Sequence, residues 1–286
     1  MTPRTIDDYG DDITSASFSA LLELETTLRH YKNALVLIGG WVPFLLIEEF
    51  GRKGIGFRHS GSIDIDFAVN PEIIDSDGYA RIVELIEARD YTMKNAADGQ
   101  PVPGSYIKCV ESAANGRRLD IQVDFLTTPE PNRSSHRHRR LQPDLQARMA
   151  EGCNLAFCHN TKTTVRGILP GNGETKLELL MLDIVGCVGM KGVVLGSRYK
   201  EKDAYDIFSV VSQCHERPRA VAAMVAPFAG EPSMTRGLDI IRTKFITIRS
   251  DGPAWVAKFR APNDIEQQKR YQAEAFAAVS EFIEAL

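Results

Sequence analysis

Residues 60–67 read Ser60-Gly61-Ser62-Ile63-Asp64-Ile65-Asp66-Phe67, and at strand period they split into two faces. Ile63, Ile65 and Phe67 share one face; Ser62, Asp64 and Asp66 share the other. Two carboxylates at i and i+2 on one strand face repel each other, and aspartate is disfavoured in strands. A divalent cation between them removes that repulsion. Mg²⁺ prefers one or two carboxylates together with the phosphates of a substrate, which makes a nucleoside triphosphate a natural guest. The same pattern also fits a solvated edge strand with two surface acids, so the flanking sequence has to decide.

Upstream, Ala34-Leu35-Val36-Leu37-Ile38 is a continuous apolar run ending in Gly39-Gly40, the pattern of a buried strand and a tight turn. A helix is predicted from Trp41 to Phe50, with Pro43 in its first turn, and an amphipathic helix from Phe18 to Tyr31. Downstream, Asp77 to Asp90 has helical spacing, with Ile82, Leu85 and Ile86 on one side. Ser105 to Glu111 and Arg117 to Thr127 read as paired strands joined around Ala114-Asn115-Gly116. In the second, Leu119, Ile121, Val123 and Phe125 point inward and Asp120, Gln122 and Asp124 outward. Thr163 to Leu169 is predicted as a last strand, and Pro170-Gly171-Asn172-Gly173 as a boundary. Beyond it the pattern turns helical over Thr175 to Leu195, Lys202 to Cys214 and Arg219 to Ala226, with a final helix started by Pro262-Asn263-Asp264. The expected organisation is an N-terminal helical extension (1–30), an α/β (α+β) domain with a mixed sheet (31–170) and a helical C-terminal domain (171–286).

Composition narrows the classes. The 286 residues carry 43% hydrophobic and 25% charged residues with net charge -4, an ordinary globular balance that excludes wholesale coating of nucleic acid. Five scattered cysteines without a CxxC pair fit reduced thiols rather than a disulfide frame or a zinc site. No apolar run is long enough for a bilayer and Met1 to Asp12 is polar, so a cytoplasmic protein with no membrane partner is expected. No Gly-x4-Gly-Lys-Ser/Thr occurs, which excludes a P-loop nucleotide site. Between Pro129 and Pro143, the run with Arg133, His136, Arg137, His138, Arg139 and Arg140 is expected to be a mobile solvated loop, the alternative being a grip on RNA phosphates. His136 and His138 have no cysteine or acid at ligand spacing.

Taken in order, the Gly39-Gly40 turn, the Asp64-x-Asp66 strand and the later acid-bearing strand resemble the polymerase-beta nucleotidyltransferase superfamily. In the second half, Lys191, Arg198, Lys202, Asp203, Tyr205 and Asp206 read K-x6-R-x3-K-D-x-Y-D. This is similar to the Lys…Arg…Arg-Asp-x-x-Asp signature of the AbiEii toxins of abortive-infection and type IV toxin–antitoxin systems, the group that includes the MenT toxins. The resemblance runs from Leu35 to Val211. It departs at Lys202, where the family has arginine, and in the long gap between Gly40 and Asp64, which makes Arg52 to Phe57 an inserted loop.

The resemblance implies a nucleotidyltransferase that moves a nucleoside monophosphate from an NTP, such as ATP or CTP, to the tRNA 3′ end, as a toxin with a cognate antitoxin. It implies two Mg²⁺ ions held by Asp64, Asp66 and a third carboxylate, for which Asp120 is the first choice and Asp124 the alternate. Asp124 reads more readily as a structural or surface acid than as a ligand. Backbone N–H groups after Gly39 and Gly40, and the Ser62 hydroxyl, would meet the triphosphate. Lys191 and Arg198 would meet its oxygens, and Asp206 with Asp203 would orient Lys191 or the base. Other readings stand beside these. Lys191 and Arg198 have the spacing of a solvated helix face, and Asp203 and Asp206 suit ion pairs with Arg198 and Lys202. The acceptor could be a protein hydroxyl or a small molecule such as an aminoglycoside, or the chain could be an idle nucleotide-binding module.

Overall fold

Four apolar residues in succession make β1 (Leu35–Ile38) a strand buried on both faces. The computed structural model describes residues 4–51, 56–74, 81–112, 115–130, 137–171, 173–215 and 217–286. The other strands are β2 (Ile65–Val69), β3 (Thr92–Asn95), β4 (Pro101–Glu111), β5 (Arg118–Thr127), β6 (His138–Arg140), β7 (Gln146–Met149), β8 (Asn160–Ile168) and β9 (Glu174–Leu182). The helices are α1 (Asp11–Thr27), α2 (Trp41–Phe50), α3 (Ile82–Glu87), α4 (Leu155–Cys158), α5 (Ile184–Ser197), α6 (Glu201–Gln213), α7 (Pro218–Val225), α8 (Pro232–Lys244), α9 (Asp251–Arg260) and α10 (Ile265–Glu284). They fall into a sheet unit, Asp11–Gly40 with Ser62–Leu182, and a helical unit, Met1–Gly10 with Trp41–Gly61 and Asp183–Leu286. Among the described residues no helix is long and apolar enough to cross a membrane.

In the sheet unit nine strands form one mixed sheet in the order β3-β4-β5-β2-β1-β9-β8, with β7 also pairing β5 and β6 pairing β7. β1 lies antiparallel to β2 and parallel to β9. β5 alternates as its sequence dictates: Leu119, Ile121, Val123 and Phe125 are buried, while Asp120 is exposed and Gln122 and Asp124 half-buried. α1 buries Ala20, Leu21, Leu22 and Leu24, and a Cβ on Gly167 of β8 would come within 2.6 Å of Leu22 Cδ1. The Lys108 ammonium reaches Glu23 of α1 at 2.6 Å.

Several expectations are corrected. Thr175 to Leu182 is strand, not helix: Leu177, Leu179 and Met181 alternate with Lys176 and Glu178, and all nine residues of β9 pair with β8. The boundary expected at Pro170–Gly173 instead falls between the paired strands β8 and β9, with Gly171 at φ +92°, and the units divide at Leu182 and Asp183 rather than at 170. Asp183 then starts α5, its side chain accepting the Gly186 N–H at 2.8 Å. α1 starts at Asp11 and belongs to the sheet unit, so residues 1–30 are no separate extension. α8 and α9 were not expected. In the basic run, residues 131–136, with Arg133 and His136, lie outside the described residues; His138–Arg140 is the strand β6 rather than a mobile loop. Residues 77–80 of the Asp77–Asp90 helix and 52–55 of the inserted loop also lie outside them.

In the helical unit, α5 and α8 cross backbone on backbone. A Cβ on Gly192 would sit 2.5 Å from the Gly237 carbonyl oxygen and 2.8 Å from its Cα. Gly192→Ala gains roughly 1 kcal/mol of helix propensity, but the obstructing atoms are main chain and cannot rotate away. A net loss of about 1–3 kcal/mol is expected. A urea midpoint equal to that of the unaltered protein would show that the helices separate freely here.

Candidate functional site

The sheet unit gathers its acids by register. Asp66 stands opposite Ile38 of β1 on one side and opposite Asp124 of parallel β5 on the other. Directly opposite residues share a sheet face, so Asp66 and Asp124 are neighbours on it. Asp64, half-buried, is the residue immediately before β2. The turn after β1 closes on this pair. Gly39 has φ +78°, and a Cβ there would lie on the Asp66 carboxylate, 2.9 Å from Asp66 Cγ. Glycine at 39 is thus needed twice, for its left-handed backbone and for the space Asp66 fills.

Asp124 is oriented from two directions. Ser105, its partner in β4, donates its hydroxyl to Oδ1 at 2.6 Å. The Gln122 amide donates at 2.9 Å to both oxygens, and Gln122 in turn accepts from Lys94. Asp120 is placed elsewhere. It is exposed, pairs with Cys109, and stands four residues from Asp124, about 13 Å along the strand. Asp124, and not Asp120, is thus the β5 carboxylate that stands directly opposite Asp66. Gly40 follows the turn at the start of α2, and Ser62 is buried four residues before Asp66.

The donor set suits Mg²⁺ in chemistry: hard carboxylate oxygens, two of them from directly opposed residues, for an ion that keeps waters and takes substrate oxygens. Among the described residues no group of three or more His, Cys, Asp or Glu side chains is arranged to hold a metal ion.

The second candidate cluster lies in the helical unit and is a buried ion network. Asp206 Oδ2 accepts from Lys191 Nζ at 2.5 Å, while Oδ1 accepts from Lys202 Nζ at 2.9 Å and lies 3.1 Å from His59 Nε2. Asp203 receives Arg198 through Nε at 2.8 Å and a second guanidinium nitrogen at 3.0 Å, and Lys191 at 3.3 Å. Asp206 is fully buried, and Lys191, Lys202, Asp203 and His59 are each less than a tenth exposed. The Arg198 side chain is 47% exposed. The ion pairs that the sequence offered as an alternative are thus formed, and Lys191, read as a phosphate cation, spends its charge on Asp206 and Asp203. Burial opposes the charged forms throughout. For Lys191 the two aspartates outweigh it and raise its pKa; for Asp206 the lysines outweigh it and hold the carboxyl well below its ordinary range. For Lys202 burial wins over Asp206 and pulls the pKa down to about 8.

His59, which the sequence did not single out, has both ring nitrogens specified. Gly61 N–H donates to Nδ1 at 3.2 Å, so Nδ1 is an acceptor and Nε2–H faces Asp206. The ring stacks on Tyr205 at 5.0 Å. A second proton would have to sit on Nδ1 against the Gly61 donor. Burial, opposed by the Asp206 hydrogen bond and assisted by Lys202, lowers its pKa from 6.5 to about 4. Between those values the unfolded chain binds a proton that the folded one refuses. The stabilisation is complete above pH 6.5 and is lost as pH falls toward 4, by about 3 kcal/mol. Urea midpoints between pH 7 and 4 should drop more steeply for the unaltered protein than for His59→Gln. Parallel curves would contradict this.

Compared with known proteins, the chain matches no protein-family model, no curated protein and no solved structure.

Proposed function

We propose that the chain is a Mg²⁺-dependent nucleotidyltransferase, of the kind its motifs resemble, that moves a nucleoside monophosphate from an NTP to a hydroxyl at an RNA 3′ end. The observation that carries this reading is the opposition of Asp66 and Asp124 on adjacent parallel strands, with the Gly39 turn closed against Asp66. Carboxylates from a strand pair beside a glycine turn suit a cation-bound triphosphate, because the glycine backbone admits phosphate oxygens closely. Asp64, Asp66 and Asp124 would hold Mg²⁺, which when bound neutralises the phosphates and acidifies the acceptor hydroxyl. The acceptor oxygen attacks the α-phosphorus, the bond to the bridging oxygen breaks, and pyrophosphate leaves. Asp124, hydrogen-bonded by Ser105 and Gln122, would take the hydroxyl proton.

The test is incubation with each of the four α-labelled NTPs, Mg²⁺ and total tRNA. Label on RNA is expected. Label on protein instead would move the acceptor to a side-chain hydroxyl, and no transfer to any acceptor would contradict the reading. A toxin role adds that expression arrests growth and that Asp66→Asn relieves the arrest.

A further inference from the structure

The β6–β7 hairpin carries a basic face that the transfer chemistry does not use. His138 pairs with Arg148, Arg139 with Ala147 and Arg140 with Gln146. Alternation puts His138, Arg140, Gln146 and Arg148 on one face and Arg139 and Ala147 on the other. Burial agrees: Ala147 is fully buried, whereas Arg140 and Arg148 are exposed. The nearby acids are engaged elsewhere, Glu130 by Arg139 at 3.4 Å and Asp144 by Arg81 at 3.5 Å. Among the described residues Arg137, Arg140 and Arg148 therefore have no acid partner. Burial, then the charges of Arg148 and Arg137, hold the His138 pKa below its ordinary value.

Register joins this face to the carboxylates. Gly104, at φ +76°, is where β4 leaves β5 and β7 comes in: a Cβ there would meet the Gln146 carbonyl oxygen at 2.5 Å and the Phe125 carbonyl oxygen at 3.2 Å. β7 lies parallel to β5 with Arg148 opposite Leu126, and Leu126 stands opposite Ala68 of β2 one alternation beyond the Asp66–Asp124 pair. Arg148, Leu126, Ala68, Asp124 and Asp66 thus share one sheet face. Arg148 is one strand over and two residues along from Asp124, about 8 Å between Cα atoms.

We infer that this face is a track for the phosphate backbone of RNA, on which Arg140 and Arg148, flanked by Arg137 and His138, hold successive phosphates of the strand whose 3′ end is presented to Asp66 and Asp124. It deepens the transfer reading and rests on it for the acceptor's role. Guanidinium forks one alternation apart match a chain of regularly spaced phosphates. The hairpin face carries no aromatic side chain, so it grips backbone without stacking on bases and without reading sequence. A polynucleotide also brings the terminal hydroxyl the transfer requires, which the carboxylates of an acidic peptide do not.

The experiment uses the full chain and a fluorescein-labelled oligouridylate, without NTP or Mg²⁺, in a salt titration. With about three phosphates neutralised, affinity should fall about 20-fold from 50 to 200 mM salt. The double variant Arg140→Gln/Arg148→Gln, both positions exposed and its fold checked by circular dichroism, should bind more weakly. It should lose only about threefold over the same range. A wild-type salt slope in the double variant overturns the inference even if transfer is intact, and so does displacement of the RNA by polyglutamate as effectively as by unlabelled oligouridylate. A lost slope supports the inference even if labelled nucleotides show no transfer, a result that would count against the catalytic reading alone.

Discussion

Asp206→Ala is expected to lower folding stability by about 3–5 kcal/mol, because it leaves buried cations without their anion. Lys191 and Lys202 both donate to Asp206, and His59 faces it. Asp203 substitutes only in part: Lys191 keeps its 3.3 Å contact with Asp203, whose two oxygens also receive the Arg198 fork. Asp206→Asn keeps the shape and an acceptor but not the charge, so an intermediate loss is expected. Lys191→Met in the Asp206→Ala background should recover part of the stability by removing one stranded charge. The check is a double-mutant cycle of urea midpoints; additive losses would mean that the two side chains do not share one interaction.

Asp66→Asn should reduce nucleotide transfer about 10³-fold or more, roughly 4 kcal/mol of transition-state stabilisation, while leaving the fold intact. The side chain is half-buried at the end of a paired strand, and asparagine fills the same space beside Gly39. Asp124→Asn should lose activity to a similar degree, whereas Asp120→Asn should stay within about twofold, a bound set by ordinary surface substitutions. Steady-state rates with the four proteins decide this. Equal losses at 120 and 124 would show that register does not select the third carboxylate.

The strand periods carried much of this architecture. Alternation in residues 63–67 and 119–125 named the buried and the acid-bearing faces of β2 and β5, and the apolar run at 35–38 named the central strand. The choice between Asp120 and Asp124 was not legible, because both lie on one face of β5 and only pairing with a strand distant in sequence selects between them. β9 was misread as helix since its apolar residues run on into those of α5; the N-cap Asp183 was the local mark of the change. The basic hairpin read as loop because its two short strands are anchored through β7 to β5, a non-local partner. His59 carries no motif, and its role exists only through Asp206, far along the chain.

The central claim is that Asp66 and Asp124 form one cation–nucleotide centre. Its most direct measurement is electron paramagnetic resonance of Mn²⁺, a stand-in for Mg²⁺, titrated into the protein with a non-hydrolysable NTP analogue. Nucleotide-dependent Mn²⁺ binding is predicted for the unaltered protein and for Asp120→Asn, and its loss for Asp66→Asn and Asp124→Asn. Binding that survives both of those substitutions, or that disappears with Asp120→Asn, would contradict the account.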